Sequence, residues 1–326
     1  MSILTALARL AGALGLAVTA ITLPVQAADY PDHAIRMVVA YPPGGATDVM
    51  ARAVAMRLGD RLKQTVLVDN RPGASGQIGT DHVAKSAPDG YTLIFTAADT
   101  HSINPHVYPK IAYDARRDFT PVAQVGYLPI ALIVNPSVKA SNVKEFVALA
   151  KQQPGKLTFA SFGIGSSSHV AMEMLEAEAK IDLLHVPFQG AAPAVSALIG
   201  GQVDAMMVPL TLAAPNHQAG KARLLGVAAA ARFPGAPDAP TFAEQGIALN
   251  SAPWVGILAP SKVPPEIIER LNREVNAALD DPQVQETLLK NGLMRETRKQ
   301  ADFKTFLDAE YDRWGKTIRD ANIKAE

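Results

Sequence analysis

Beyond Tyr30 the chain alternates short, β-rich apolar runs with stretches whose apolar residues recur at helical spacing. That alternation predicts an α/β fold, with helices packed on largely parallel sheets. Ile35 to Ala40 reads as the first strand and breaks at Tyr41-Pro42-Pro43-Gly44-Gly45. From about Thr47 to Leu62 the residues Val49, Met50, Ala53 and Leu58 make a helical pattern. Val66 to Val68 is a second strand, followed by the loop Asn70-Arg71-Pro72-Gly73-Ala74-Ser75-Gly76 and a helical stretch to Lys85. Pro88-Asp89-Gly90 signals a turn before a third strand, Thr92 to Thr96.

The middle of the chain repeats this grammar. Leu157 to Ala160 is a strand, then comes Gly163-Ile164-Gly165-Ser166-Ser167-Ser168, then a helix from about His169 to Ala179. Leu184 to Val186, the loop Phe188-Gln189-Gly190-Ala191-Ala192-Pro193, a helix to Leu198 and a strand from Val203 to Val208 follow. The two halves share an architecture without a tandem repeat, which predicts two lobes of one design. Pro121 to Val134 is apolar and extended enough to cross between lobes, and Ala252 to Pro260 reads as the return. Helices expected at Pro265 onward, Pro282 to Lys290 and Ala301 to Ala321 would then pack on the first lobe. The expected division is residues 28–128 with 253–326 as lobe 1, and 129–252 as lobe 2.

The amino terminus sets the compartment. Arg9 is the only charged side chain before Asp29, an apolar run spans Leu10 to Leu23, and Val25-Gln26-Ala27 places small residues at a cleavage site. This is the layout of a secretory signal peptide, residues 1–27. The run is shorter than the ~20 residues that a membrane span requires. There is no twin-arginine pair, so the general secretion route is expected. Lys plus Arg and Asp plus Glu both number 31, which gives nucleic acid no electrostatic purchase. The chain has no cysteine, which excludes disulfides, thiol catalysis, thiolate metal sites and lipid attachment at the cleavage site.

Chemistry concentrates in the loops. Pro42-Pro43-Gly44-Gly45-Ala46-Thr47-Asp48 delivers the first strand into a helix start, where unpaired backbone N–H groups favour anions. Gly163, Gly165, Ser166, Ser167 and Ser168 stand at the corresponding place in the second half. Facing each other across a cleft, the two loops could clamp one small anion. Ordinary strand-to-helix turns use the same residues; the recurrence in both halves favours the clamp. A helix terminus contributes ~0.3–1 kcal/mol, up to ~2 when partly buried. Hydrogen bonds to a charged group add ~1.5–3 kcal/mol each, against the about 8 kcal/mol of micromolar binding. Arg71 is the only basic residue in these loops and could serve a guest or pin its own loop. Asp48 suits the first turn of a helix. Asp99, if it faces the cleft, would either repel an anion or hold an amine.

Ordered motifs run the length of this sequence. They are Tyr41-Pro42-Pro43-Gly44-Gly45-Ala46-Thr47-Asp48, Asn70-Arg71-Pro72-Gly73-Ala74, Pro88-Asp89-Gly90-Tyr91-Thr92-Leu93, and Thr100-His101-Ser102-Ile103-Asn104-Pro105. Asp118-Phe119-Thr120-Pro121, Ser166 to His169, Phe188-Gln189-Gly190, Gly200-Gly201-Gln202-Val203-Asp204 and Trp254-Val255-Gly256 follow. In these the chain resembles the periplasmic substrate-binding proteins of tripartite tricarboxylate transporters, the Bug proteins. The resemblance implies a two-lobed periplasmic binding fold, type II-like, with a mostly parallel sheet in each lobe and two hinge strands. It also implies ligand contacts from Tyr41 and Pro43 to Asp48, from Ala97, Ala98, Asp99, Thr100 and His101, and from Ser161, Phe162, Gly163, Gly165, Ser166, Ser167 and His169. Phe188, Gln189 and Asp204 complete the expected site. The guest is a di- or tricarboxylate, an acidic amino acid or an aromatic acid, held largely by main-chain and small polar groups with ordered water. Ser75, Gln189 and Asp99 depart from the family's glycine, basic residue and small neutral residue, and these departures bear on which guest is bound.

The resemblance implies a monomer that hands its guest to the transporter's membrane subunits, without cofactor or metal. A sensor that presents its ligand state to a membrane receptor remains an alternative. An enzyme is disfavoured. Gly163-x-Gly165-x-x-Ser168 lacks the third glycine of a dinucleotide loop, and His185-Val186-Pro187 lacks the ribose-binding acid. No serine sits in a G-x-S-x-G elbow, and the seven histidines form no metal-like cluster.

Overall fold

In the computed structural model the described residues are 30–249, 251–321, 323 and 324. The expected signal peptide, residues 1–27, and its cleavage site lie outside them. From His33 onward the chain forms one unit.

β1 (Ile35–Val39) leads through the proline–glycine loop into α1 (Ala46–Leu62), and β2 (Val66–Asn70), α2 (Gln77–Ala84) and β3 (Thr92–Ala97) follow. A π-helical turn, Asp99–Ile103, runs into the short α3 (Asn104–Val107). β4 (Phe119–Tyr127) leaves the first sheet and β5 (Ile130–Val134) opens the second. The second half continues through α4 (Val143–Gln152), β6 (Thr158–Ser161), α5 (Ser167–Ala179), β7 (Leu184–Pro187) and α6 (Ala191–Ile199). β8 (Ala205–Pro209), α7 (Leu210–Gln218) and β9 (Arg223–Val227) complete it. β10 (Trp254–Pro260) returns to the first sheet, followed by α8 (Pro265–Leu279), α9 (Pro282–Lys290), β11 (Met294–Arg295) and α10 (Gln300–Asp320).

The first sheet has the order β11-β4-β10-β3-β1-β2 and the second β7-β6-β8-β5-β9. Parallel pairing is narrower than the sequence suggests. It joins β1 to β2 and β3, and β6 to β7 and β8. The remaining pairs are antiparallel. The reason is connectivity: a parallel neighbour needs a crossover of a dozen or more residues, whereas β5 and β10 arrive from the other lobe by other routes. The two crossings touch, since the Leu128 amide donates to the Pro253 carbonyl at 2.9 Å.

Local chemistry fixes the helix starts. Ser166 caps α5 by accepting from the His169 amide. Asp281 caps α9 through the amides of Gln283 and Val284, with Pro282 in the first turn. Asn142 caps α4 while the Glu145 carboxylate reaches back to the Ser141 amide at 2.7 Å. α1 differs: its cap is Gly45, which has no side chain to satisfy the first amides. Gly126 shows where a glycine is obligatory. Its φ is +155°, and a Cβ there would lie 2.1 Å from the Met294 carbonyl oxygen, so only glycine lets β11 seat on β4.

Side chains alternate across the second sheet with a period of two. Leu132, Val134 and Met207 face Phe146, Phe159, Leu175 and Phe242. Ala131, Ile133, Met206 and Val208 face Leu198 and Ala213. In the first lobe Phe303 of α10 packs with Trp254 and Leu258 of β10 and with Val38 and Ile94. A further apolar cluster spans both lobes, joining Ile103, Val107, Trp314 and Ile318 to Val170 of α5. Each fully buried aliphatic side chain of this kind contributes about 1.5–3 kcal/mol.

One buried acid gives the fold a pH signature. Glu176 of α5 accepts the Leu183 amide at 2.6 Å. Burial raises its carboxyl from 4.5 to about 8; the Leu183 amide opposes this, while Glu173 and Asp182 add to it. Between those values the native state holds a proton that the unfolded chain has released, so stability should fall as pH rises from 4.5 to about 8. Glu176→Gln keeps an acceptor for Leu183 and should flatten that part of the curve of denaturation midpoint against pH. Superimposable wild-type and variant curves would show that Glu176 ionises normally.

Candidate functional site

A cavity of about 300 Å³ opens at the carboxyl ends of the parallel strands of both lobes. Ligand crevices of α/β sheets form at such ends. The first lobe contributes Ala40, Tyr41 and Pro42 after β1, Pro72, Gly73, Ser75 and Gly76 after β2, and Asp99 and Asn104 after β3. The second lobe contributes Phe162, Gly163, Ile164, Gly165 and Ser166 after β6.

The second-lobe loop is held from behind. The Gly163 carbonyl accepts from the hydroxyls of Ser166 at 2.7 Å and Ser161 at 3.1 Å. The Gly165 amide donates to His169 Nδ1 at 3.1 Å, and His169 Nε2 lies 3.2 Å from Glu173. That pairing assigns the His169 proton to Nε2. His169 stacks on His185 at 3.9 Å, and His185 stacks on Phe159 and meets the Ser161 hydroxyl at 2.7 Å. Burial, then the neighbouring His169, holds His185 down at about 4, so it is neutral at physiological pH. Ser161 and His169 therefore shape the loop from beneath and do not line the cavity. Phe188 and Gln189 do not line it either. Their strand end braces the loop through the bonds Phe188 N–H to Ser161 O and Gly190 N–H to Phe162 O. Gly165, at φ +74°, lies where a Cβ would come 2.4 Å from Val107 Cγ1 of the first lobe, so the lobes approach closely only over a glycine.

In the first-lobe loop, Asp48 is already engaged. It accepts from the Gly44 amide at 2.9 Å, Arg52 Nε at 3.0 Å and Asn70 Nδ2 at 2.8 Å. Burial alone would raise its carboxyl, but Arg52, Gly44 and Asn70 outweigh burial and leave it below the usual range. Asp48 thus ties the loop to β2. Arg71 is likewise bound to Asp69 at 2.8 Å. Pro43, Gly44, Gly45 and Ala46 are exposed and Thr47 half-buried. They follow directly on the lining residue Pro42 without lining the cavity themselves, and the start of α1 has no side-chain cap. The Tyr41 hydroxyl is buried with no well-formed hydrogen bond, although Thr96 lies near it. Burial, then the Asp99 charge, pushes the phenol well above its ordinary value.

The π-helical turn projects Asp99. Ala97, Ala98, Thr100 and His101 are buried behind it. The Thr100 hydroxyl meets Thr96 Oγ1 at 2.6 Å and His101 Nδ1 at 2.8 Å. His101 packs edge-on to Phe119 at 4.5 Å, and burial holds its ring at about 3, so it is neutral. Trp254 Nε1–H donates to the Ser102 hydroxyl at 3.1 Å. These four residues pack behind Asp99 and do not line the cavity. The Asp99 carboxylate faces the amide and hydroxyl of Ser167 in the first turn of α5. Burial raises its pKa against those two groups and its own amide.

Asp204 lies away from the cavity. It accepts from the Thr158 amide at 2.8 Å and hydroxyl at 2.9 Å, at the start of β6. The site loop follows the far end of that strand, about 10 Å away. Asp204 staples β6 to β8.

The expected contacts omit Ala40, Pro42, Pro72, Gly73, Ser75, Gly76, Asn104 and Ile164. The loop after β2 carries the same glycine-rich grammar as the loops that were chosen, which was the available signal. Asn104 Nδ2 donates to the Ser75 carbonyl at 2.8 Å, and Ser75 Oγ meets Tyr108 Oη at 2.7 Å. Among the described residues, no group of three His, Asp or Glu side chains could hold a metal ion. A larger cavity, about 520 Å³, lies by the crossings at Tyr127, Pro129 and Ala252. Its arginines are committed, Arg295 to the Gln124 carbonyl and Asn276, Arg298 to Tyr127 and Glu296, and Arg313 to Glu310. It contains no glycine loop at a helix start, so the smaller cavity is the candidate site.

Known proteins place this geometry. The family model described as tripartite tricarboxylate transporter family receptor matches residues 50–323. Protein BugT of Bordetella pertussis is 35% identical over 320 residues, covering 97% of this chain and 98% of its own. Rpa4515 of R. palustris, solved with adipate, is 32% identical with a TM-score of 0.80, covering 91% of this chain and 100% of its own. MatC from Rhodopseudomonas palustris, solved with bound malate, is 32% identical with a TM-score of 0.76, over 89% of this chain and 100% of its own. The periplasmic binding protein BugD is 31% identical with a TM-score of 0.75, over 91% of this chain and 100% of its own. Family match, identity over nearly the whole chain and two-lobed architecture agree: the chain belongs to the Bug-type receptors of the tripartite tricarboxylate transporter family.

Proposed function

We propose that this protein is a periplasmic receptor that captures a small carboxylate between its lobes and delivers it, unchanged, to the membrane subunits of a tripartite tricarboxylate transporter. Residues 1–27 direct its export and are removed. One observation carries the reading: a single cavity is walled by loops of both lobes, at the carboxyl ends of β1, β2, β3 and β6. A cavity of about 300 Å³ matches a small metabolite, with the space of about ten waters at ~30 Å³ each. Carboxylates bound to Rpa4515 and MatC, similar over most of their length, support the same class of guest here.

Lobe 1 comprises residues 28–128 and 253–326, and lobe 2 residues 129–252. Closure turns about the paired crossings near Leu128 and Pro253, a hinge of two short links. Closing brings Gly165 onto Val107 and Val170 into the cluster with Trp314. Trp314 is therefore the better optical reporter, because Trp254 is buried within the first lobe alone.

A thermal-shift screen of mono-, di- and tricarboxylates, amino acids and pyridine carboxylates should find a guest that raises the melting temperature. Saturation at a hundred times Kd stabilises by about 2.7 kcal/mol. Gly165→Ala should weaken that guest's binding at least tenfold, and because φ +74° strains any L side chain it should also lower the ligand-free midpoint modestly, by about 1 kcal/mol. Wild-type affinity in Gly165→Ala would refute the interlobe site. Guest binding should also change tryptophan emission, and Trp314→Phe should remove most of that change; an undiminished signal would mean that closure does not pass through α10.

A further inference from the structure

The cavity holds one carboxylate and no cation. Among the described residues Asp99 is the only acidic side chain in its lining, and no Lys, Arg or His lines it. The two nearby arginines, Arg52 of α1 and Arg71 of the loop after β2, are already paired, Arg52 with Asp48 and Arg71 with Asp69. His101, two residues beyond Asp99, is neutral and turned into the core. What Asp99 meets instead is the amide and hydroxyl of Ser167 at the start of α5. An internal carboxylate thus occupies the helix start that a guest's carboxylate was expected to use.

A second negative charge in this space has no side-chain cation to compensate it. A guest bearing carboxylates at both ends would set one of them against Asp99, whereas a guest bearing a protonated amine would supply the missing positive charge. Partly buried charges about 4 Å apart differ between attraction and repulsion by far more than tenfold in binding. Donors for a single carboxylate remain elsewhere. Tyr41 lines the cavity with its hydroxyl near Thr96, and the start of α1, which has no side-chain cap, follows on from the lining residue Pro42.

We propose that the guest of this cleft is a small zwitterion with one carboxylate and one protonated amine, and that Asp99 is the counter-ion that selects it over plain di- and tricarboxylates. The proposal rests on the interlobe cleft being the binding site. It orients the guest, with nitrogen toward Asp99 and α5, and carboxylate toward Tyr41 and the start of α1.

The test is calorimetric titration of the full protein and of Asp99→Asn with length-matched pairs: succinate against β-alanine, glutarate against γ-aminobutyrate, adipate against δ-aminovalerate. At least one amino acid should bind the wild type tenfold or more tighter than its diacid, and Asp99→Asn should abolish or invert that preference. Asp99→Ser serves as a second charge-removing variant should the asparagine protein melt abnormally. Diacids binding the wild type as tightly as their partners, or a preference unchanged by both substitutions, would overturn the proposal. The cleft reading would then stand, provided that Gly165→Ala still loses diacid binding. If neither series binds any of the proteins, the small-carboxylate reading falls and this proposal with it.

Discussion

The constraint on which this site depends is a shortage of free positive charge. Arginines stand close to the cleft, but each is bound to a carboxylate of its own loop: Arg52 to Asp48 and Arg71 to Asp69. Those pairs tie the loops together and leave amides, hydroxyls and Asp99 as the polar groups of the cavity wall. Such groups are fixed to strands and helix starts, so they need little reorganisation when a guest arrives. They also make the site sensitive to the guest's net charge, because nothing mobile can swing in to neutralise it.

Much of the fold was legible because it rests on periodicity. β1, α1, β3, α5 and α8 appear within a few residues of the places that their apolar spacing and loop residues indicate. The two-lobed plan was legible from a repeated order of elements, without any repeated residues. α4, α7 and β9 lie outside the predicted elements. α7 contains Pro215, which interrupts the helical pattern, and β9 is an edge strand of five residues flanked by polar turns. The antiparallel pairing of β5 and β10 was hidden because it follows from which lobe the chain comes from, a long-range fact that no local window contains.

The site was legible to the level of loops and not of side chains. Asp48, His101 and Asp204 sit in the right motifs, yet their polar groups are turned to local partners or buried. A motif records which residues recur together and does not separate a group that holds a loop from one that touches a guest. Burial and hydrogen-bond geometry make that separation: Asp48 has three donors around it and Asp204 has two from Thr158. Asp99 resembled these residues in sequence and differs in lining the cavity.

The placement of Asp99 connects recognition to the hinge. Its turn is π-helical, a winding often found at functional sites. Trp254, the first residue of the returning strand β10, donates its indole N–H to Ser102 of that turn. The preceding link carries Pro253, whose carbonyl holds the other crossing at Leu128. A short covalent and hydrogen-bonded path therefore runs from the charged wall of the cavity to both crossings. On the other side Asp99 faces Ser167 at the start of α5 in the second lobe. The same carboxylate thus stands between the paired crossings and the start of α5.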